Sequence, residues 1–98
     1  MPWYAVRCVF RHEPVGGYEE RVTLWPASSA DDAIARAEAE AADYPAEYVG
    51  LAQAYALFDE PGPGAEVFSL IRRSELAPDA YLTRFFDTGA EIQGGSPS

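Results

Sequence analysis

Apolar and polar residues alternate along the first 25 residues. In residues 3 to 11, WYAVRCVFR, every even position is apolar, whereas Arg7 and Arg11 stand at odd positions. The loop residues HEPVGG follow, and residues 18 to 25, YEERVTLW, contain apolar residues at Val22 and Leu24. A period of two is typical of strands with one buried face, so this region predicts a β-hairpin.

The register of this hairpin follows from matching the apolar faces, because a slip by one residue would turn a whole strand over. The even-numbered residues of the first strand are apolar, and the even-numbered residues of the second strand include Val22 and Leu24. These two sets are therefore expected to lie on the same face of the hairpin. The predicted pairs are Phe10 with Glu20, Cys8 with Val22 and Val6 with Leu24.

After Pro26 the period changes to that of a helix. Ser29 stands three residues before Asp32, as in a capping box, and Pro45 ends the helical pattern, which predicts a helix from Ala30 to Asp43 or Tyr44. Its stripe is mostly alanine, so the helix must approach its neighbour closely to bury it. The predicted stripe is Ala30, Ala33, Ile34, Ala37, Ala41 and Tyr44. Space for this close approach is left by four small residues that share one face of a later predicted strand: Gly50, Ala52, Ala54 and Ala56.

The second half repeats this order. Residues 48 to 58 predict a third strand, DEPGPG a loop, and residues 66 to 72 a fourth strand. LAPDAYLTRFFDTG predicts a second helix, with Pro78 in its first turn and Gly89 after its end, although YLTRFF is also compatible with a strand. The apolar face of that helix comprises Tyr81, Leu82, Phe85 and Phe86.

The elements therefore predict an α+β fold of order ββαββα. Its sheet has four mainly antiparallel strands, and both helices pack on one face. We expect a single domain over residues 1–93 and a flexible Gly/Ser/Pro tail over residues 94–98.

The amino-acid composition restricts the classes of partner that we expect for this protein. Seven arginines face sixteen acids, there is no lysine, and the net charge of −9 disfavours nucleic acid and anionic membrane surfaces. The apolar run VGLAQAYALF is too short to span a bilayer, and a single cysteine cannot form an internal disulfide. With no signal-peptide pattern, these features predict a cytoplasmic protein.

The titratable residues suggest no catalytic or metal site. The only histidine, His12, and the only cysteine, Cys8, lack the spacing of metal ligands. Cys8 lies on the predicted core face, where a small buried side chain is the simpler interpretation than a nucleophile. We therefore expect no catalytic residue, no metal and no cofactor.

The predicted outward face of the first hairpin has an unusual composition. Three arginines and both tryptophans share its odd positions, and these residue types are enriched at binding hot spots. The face is an interface, for a second copy or a foreign protein, or a solvated surface on which arginine stems cover the tryptophan rings. Nucleic acid is a third, weaker alternative, because the face is locally basic but the net charge of the chain opposes it. The candidate binding residues are Trp3, Arg7, Arg11, Arg21 and Trp25.

Four segments carry a resemblance to a family. WYAV, YEERVTL, ASSADDAIARAEAEA and AEVFSLIR together resemble a family of small bacterial proteins known only as a domain of unknown function, over most of residues 3 to 89. The resemblance supports the predicted fold and supplies no catalytic residue.

The leading functional hypothesis is a non-catalytic protein-binding module, of an immunity-type or accessory role in a bacterial cell. Its acids would steer a basic partner. The alternative is a homodimeric ligand-binding domain or small enzyme, in which Arg7, Arg11 and Arg21 hold an anionic group. The acidic face of the first hypothesis comprises Asp32, Glu40, Asp43 and Glu47.

Overall fold

The computed structural model describes residues 1–13 and 16–86. The chain has the α+β composition that the sequence predicts. None of the helices in these residues is long and apolar enough to cross a membrane. The elements are β1 (Trp3–His12), β2 (Gly17–Pro26), α1 (Ala30–Ala41), β3 (Glu47–Ala56) and α2 (Pro78–Phe85).

The three strands form one antiparallel sheet of order β2-β1-β3. The first strand is therefore the central one, and it is hydrogen-bonded along both sides. The ladder continues briefly past the strand ends, where Ala27 donates to the Pro2 carbonyl at 3.0 Å and Leu57 to the Trp3 carbonyl at 2.9 Å.

The predicted hairpin register is wrong by one residue. Val6 lies opposite Thr23 and Phe10 opposite Glu19, so the odd positions of β2 share a face with the even positions of β1. The turn sets this register: Gly16 has a positive φ of 73°, and its N–H donates to the His12 carbonyl at 2.9 Å. Apolar matching failed because charged residues of β2 bind side chains of the covering helical region.

The alanine stripe of α1 packs on the sheet as predicted. Ala33, Ala37 and Ala41 are buried against a core that contains Val6 and Phe10. Small side chains let the helix backbone come close to the sheet, so the larger residues of β1 fill the space between them. The partly buried alanines of β3, Ala52 and Ala54, complete this interface, as the sequence predicts.

The predicted start of α1 is confirmed. The Ser29 hydroxyl accepts a hydrogen bond from the Asp32 N–H at 3.0 Å, which satisfies one of the free donors of the first turn. Arg36 pairs with Asp32 at 3.3 Å rather than with Glu40, because Glu40 instead binds Arg21 on the sheet.

Two acids of α1 bind the two edge strands beneath it. Glu40 Oε1 lies 2.6 Å from Arg21 Nη1 on β2, and Glu38 accepts from the Tyr48 hydroxyl on β3 at 2.6 Å. Desolvation, reinforced by the Glu38 hydrogen bond, raises the pKa of Tyr48. These contacts set the position of the helix across the sheet, whereas the alanines set its distance.

A bulge in β3 interrupts its pairing with β1. Cys8 lies opposite Ala52 and Phe10 opposite Tyr48, so four residue steps on β3 span two steps on β1. Gly50, at the centre of the bulge, has a φ of 90°, a conformation that residues with a Cβ rarely adopt. Tyr48 is thereby returned to the helix side, where its ring lies 5.7 Å from that of Phe10.

The predicted fourth strand and the packing of the second helix are wrong. Residues 66 to 72, EVFSLIR, are rich in β-forming side chains but form no ladder with the described strands. Such side chains make pairing possible, but they do not by themselves provide an edge to pair with. Helix α2 begins at Pro78 as predicted, yet among the described elements it packs on neither the sheet nor α1. Gly89 and the predicted tail, residues 94–98, lie outside the described residues.

Candidate functional site

The sheet has two faces of different character. The helix face carries α1 and includes Val6, Cys8 and Phe10, together with Arg21 and Trp25. The open face is the other side of the sheet and does not carry α1. The side chains of the open face include Trp3, Arg7, Val9, Arg11, Glu20, Val22, Leu51, Gln53 and Tyr55.

The five candidate binding residues do not form one surface. Trp3, Arg7 and Arg11 lie on the open face, whereas Arg21 and Trp25 lie on the helix face. Their separation follows directly from the one-residue correction of the hairpin register. An anionic pocket built by Arg7, Arg11 and Arg21 together therefore cannot form on one side of this sheet.

Arg7 is the centre of the open face. Its Nη2 donates to Gln53 Oε1 at 2.5 Å and to the Tyr55 hydroxyl at 3.3 Å, and its Nη1 lies 3.4 Å from Glu20. The guanidinium carbon is 5.5 Å from the ring centroid of Phe68, which contacts Tyr55 edge-on at 4.7 Å. Contacts from the two neighbouring strands and a later loop thus hold this arginine in one position.

Arg11 and Arg21 are each neutralised by a carboxylate. Arg11 donates through Nε and Nη2 to Glu13 Oε1, at 3.1 and 2.8 Å, and this hydrogen bond raises the pKa of Arg11. Arg21 binds Glu40, and its guanidinium carbon lies 4.2 Å from the Tyr44 ring centroid. Neither arginine presents an unpaired cation to an anionic ligand.

Trp25 and Cys8 support the core. Trp25 Nε1 donates to the Thr23 hydroxyl at 2.7 Å, and its ring packs beside the buried cluster of the helix face. Cys8 is buried, as predicted, and burial raises the pKa of its thiol, with the carboxylates of Glu38 and Glu40 adding to the effect. A raised pKa lowers the thiolate fraction, so this thiol is a poor nucleophile at neutral pH.

The predicted acidic face is also dispersed. Asp32 lies in the first turn of α1. A hydrogen bond from the Ser28 backbone N–H lowers the pKa of its carboxyl group, and Arg36 adds to that effect. Glu40 is bound to Arg21, Asp43 is exposed after α1, and Glu47 lies opposite Arg11 in β3. Two of the four carboxylates are thus bound to arginines of this chain, and Glu47 points to the other side of the molecule.

A polar cluster that the sequence did not predict closes one end of the helix face. Glu19 accepts from His12 Nε2 at 2.7 Å and from the Tyr44 hydroxyl at 3.0 and 3.1 Å. The His12 hydrogen bond is the main cause of a lowered pKa at Glu19. The position of His12 at the end of β1 could be read from the sequence. Only the tertiary structure brings Tyr44 to the same carboxylate, that of Glu19.

A groove of about 340 Å³ lies between the end of β3 and the loop that follows. Tyr55, Phe58, Val67 and Phe68 line much of it, and Glu66 is its only ionisable carboxylate. Across the described ranges no cluster of His, Cys, Asp and Glu could hold a metal ion. The lining of the groove is thus partly aromatic and partly polar, and it provides no acid–base pair or nucleophile–base pair.

Comparisons with family models, with curated proteins and with solved structures gave no match. The resemblance to a bacterial family of unknown function stays a prediction. No relative supplies a functional residue that could be carried over to this chain, so the geometry above is the basis for inferring its role.

Proposed function

We propose that this chain is a non-catalytic protein-binding module whose interface is the open face of the sheet. The observation that carries the proposal is the position of Arg7, which lies beside the Phe68 and Tyr55 rings and opposite the exposed side chain of Val22. An arginine with fixed geometry among aromatic rings is the kind of anchor that dominates protein interfaces.

Several large apolar side chains around Arg7 on the open face are exposed to solvent. Val22 and Leu51 flank Arg7 on β2 and β3, and Leu51 keeps 47% of its surface exposed. Tyr18 is 70% exposed on the same face. Contiguous apolar surface with a polar rim is typical of interaction sites.

The net charge of −9 also indicates which class of partner this module would bind. An acidic module of this size is suited to a basic protein, as in an immunity-type or accessory role, and it is repelled by nucleic acid. The exposed carboxylates Asp43 and Glu47 would accelerate encounter with such a partner, while contact itself would occur on the open face.

The experiment is site-specific photo-cross-linking in the cells that encode the chain. A photoreactive phenylalanine analogue replaces Leu51 on the open face, and the matched control places it at Ala39, an exposed position of α1. We expect a discrete protein adduct from position 51 and none from position 39. Circular dichroism checks that both variants fold.

The proposal includes adducts with this chain itself as well as with another protein. It is overturned if position 51 gives no protein adduct although the folded variant is present at the wild-type level. Equal adducts from positions 39 and 51 would also overturn it, because they would indicate non-specific capture of an acidic surface.

A further inference from the structure

Half of the large apolar side chains that are exposed among the described residues lie in the last part of that chain. We call residues 65–86 the C-terminal arm. Between Ala65 and Ala77 the arm has neither helix nor strand, and Ile71 is 94% exposed. The other large exposed apolar residues of the arm are Val67, Leu70, Leu76, Leu82 and Phe86.

Helix α2 ends this arm without a packing surface of its own. It has eight residues and no buried side chain, and its apolar contacts among described residues are local, such as the stacking of Tyr81 on Phe85 at 4.7 Å. Isolated helices of this length are marginal in water and gain their stability from packing an apolar face. The helix therefore needs a surface that the described part of its own chain does not provide.

We infer that the arm docks on the open face of a second copy of this chain, in a reciprocal two-fold dimer. This inference rests on the proposed open-face interface, and it names a second copy of this chain, instead of a basic foreign protein, as the occupant. Among its described residues each copy carries one exposed arm and an open face that is exposed around Val22 and Leu51, so a two-fold axis covers both features in both copies. A foreign partner would have to supply complements to two dissimilar surfaces.

The distribution of charge favours contact of the open face with the arm of a second copy, and not with residues 1–64 of that copy. Residues 1–64 contain four arginines and eleven acids, a net charge of −7, so contact between two such bodies is repulsive. The arm contains three arginines and three acids, a net charge of zero. Its Arg73 is exposed and the open face presents the exposed carboxylate of Glu47, whereas Arg72 and Glu20 already bind Tyr81 and Arg7 of their own chain.

The start of the arm already shows the mode of contact. Phe68 packs on Tyr55 and beside Arg7 of its own chain, near the centre of the open face. From there the arm leaves the sheet, and Val22 and Leu51 remain uncovered. The same face can thus receive aromatic side chains from Tyr81, Phe85 or Phe86 of the second copy.

Sedimentation equilibrium of the full chain tests the inference. We expect a concentration-dependent dimer that is weakened at least tenfold by Leu82→Glu on the arm, and equally by Leu51→Glu on the open face. The control Ala39→Glu adds the same charge to an exposed position of α1 and should remain dimeric. Circular dichroism confirms that each variant folds.

A mixing experiment separates docking between copies from docking within one copy. In a Cys8→Ser background, one variant carries Leu82→Cys and another Leu51→Cys, and a short bismaleimide is added. We expect covalent dimers in the mixture and not with either variant alone. A chain with both cysteines that cross-links only to itself would overturn the inference.

The outcomes distinguish the inference from the proposed function. A monomer at all concentrations, with a foreign adduct from position 51, overturns the second-copy inference and leaves the binding module in place. A monomer with no adduct from position 51 overturns both. A dimer lost only in the two interface variants supports both.

Discussion

At the residue scale, the contacts of Glu19 explain why a charged side chain lies on the helix face. Its carboxylate binds His12 at the end of β1 and Tyr44 after α1, so one residue of β2 joins the hairpin to the helical region. A carboxylate that accepts several hydrogen bonds is stabilised in its charged form. This explains the lowered pKa of Glu19.

The lowered pKa makes stability depend on pH in a definite direction. A carboxyl whose folded pKa lies below its unfolded value, about 4.3 for glutamate, stabilises the fold above that value. The contribution is lost as the pH falls through the folded pKa. We expect Glu19→Gln to lower the free energy of unfolding by about 1 kcal/mol at pH 7, and by progressively less below pH of about 4.

Urea denaturation followed by circular dichroism between these pH values measures the difference. The matched control is Glu60→Gln in the exposed loop after β3, which should leave the free energy of unfolding unchanged. If the Glu19→Gln deficit is the same at acidic and neutral pH, the ionised carboxylate contributes nothing to the fold.

The sequence predicted residue contacts best where they are local. The Ser29 cap and the burial of Cys8 follow from spacing and from strand alternation. The partners of Arg7 could not be predicted, because Gln53 and Tyr55 become its neighbours only when β3 pairs with β1. The same holds for Arg21, which binds an acid 19 positions away.

At the element scale, the alanine stripe of α1 determines how close the helix lies to the sheet. Alanine adds little apolar area of its own, so the stability of this interface comes from Phe10 and Val6, which the close approach buries. A larger side chain in the stripe would separate the two layers. The exposed alanines of the same helix carry no such constraint.

We therefore expect Ala37→Leu to destabilise the fold by about 1–3 kcal/mol through overpacking. Ala39→Leu is the matched control, since it makes the same chemical change at an exposed position of the same helix. Its effect should stay within about 0.5 kcal/mol. Thermal and urea denaturation measure both, and equal losses in the two variants would contradict close packing at Ala37.

Elements were predicted well wherever a single segment determined them. The hairpin, α1, β3 and the start of α2 all follow from period and from Pro and Gly positions. The fourth strand was wrong because a strand requires an edge to pair with, and the β-forming composition of residues 66 to 72 contains no information about that edge.

At the scale of the whole molecule, the chain divides into a packed body and an arm. The body consists of the sheet and α1, with β1 hydrogen-bonded on both sides at its centre. The arm lacks regular structure before α2, and its large side chains are mostly exposed. Local stability should therefore differ strongly between the two parts.

Hydrogen exchange of the dilute monomer measures this difference. We expect the amides of β1 to exchange slowest, because their opening requires global unfolding. Amides of residues 66 to 76 should exchange nearly as fast as in an unstructured peptide. Protection of the arm equal to that of β1 in the monomer would contradict this division, and it would place the arm against its own body.

The sequence by itself determined the local features of this protein: strand and helix periods, the cap at Ser29, the alanine stripe, and the acidic charge that disfavours nucleic acid. Each depends on neighbours within a few positions along the chain. Only the tertiary structure decided the register of the hairpin, and with it the face on which every side chain of β2 lies. It also decided that Arg7 and Arg21 lie on opposite faces and that the arm is left uncovered, because pairing between distant segments depends on turn geometry and edge shape, which alternation alone does not encode.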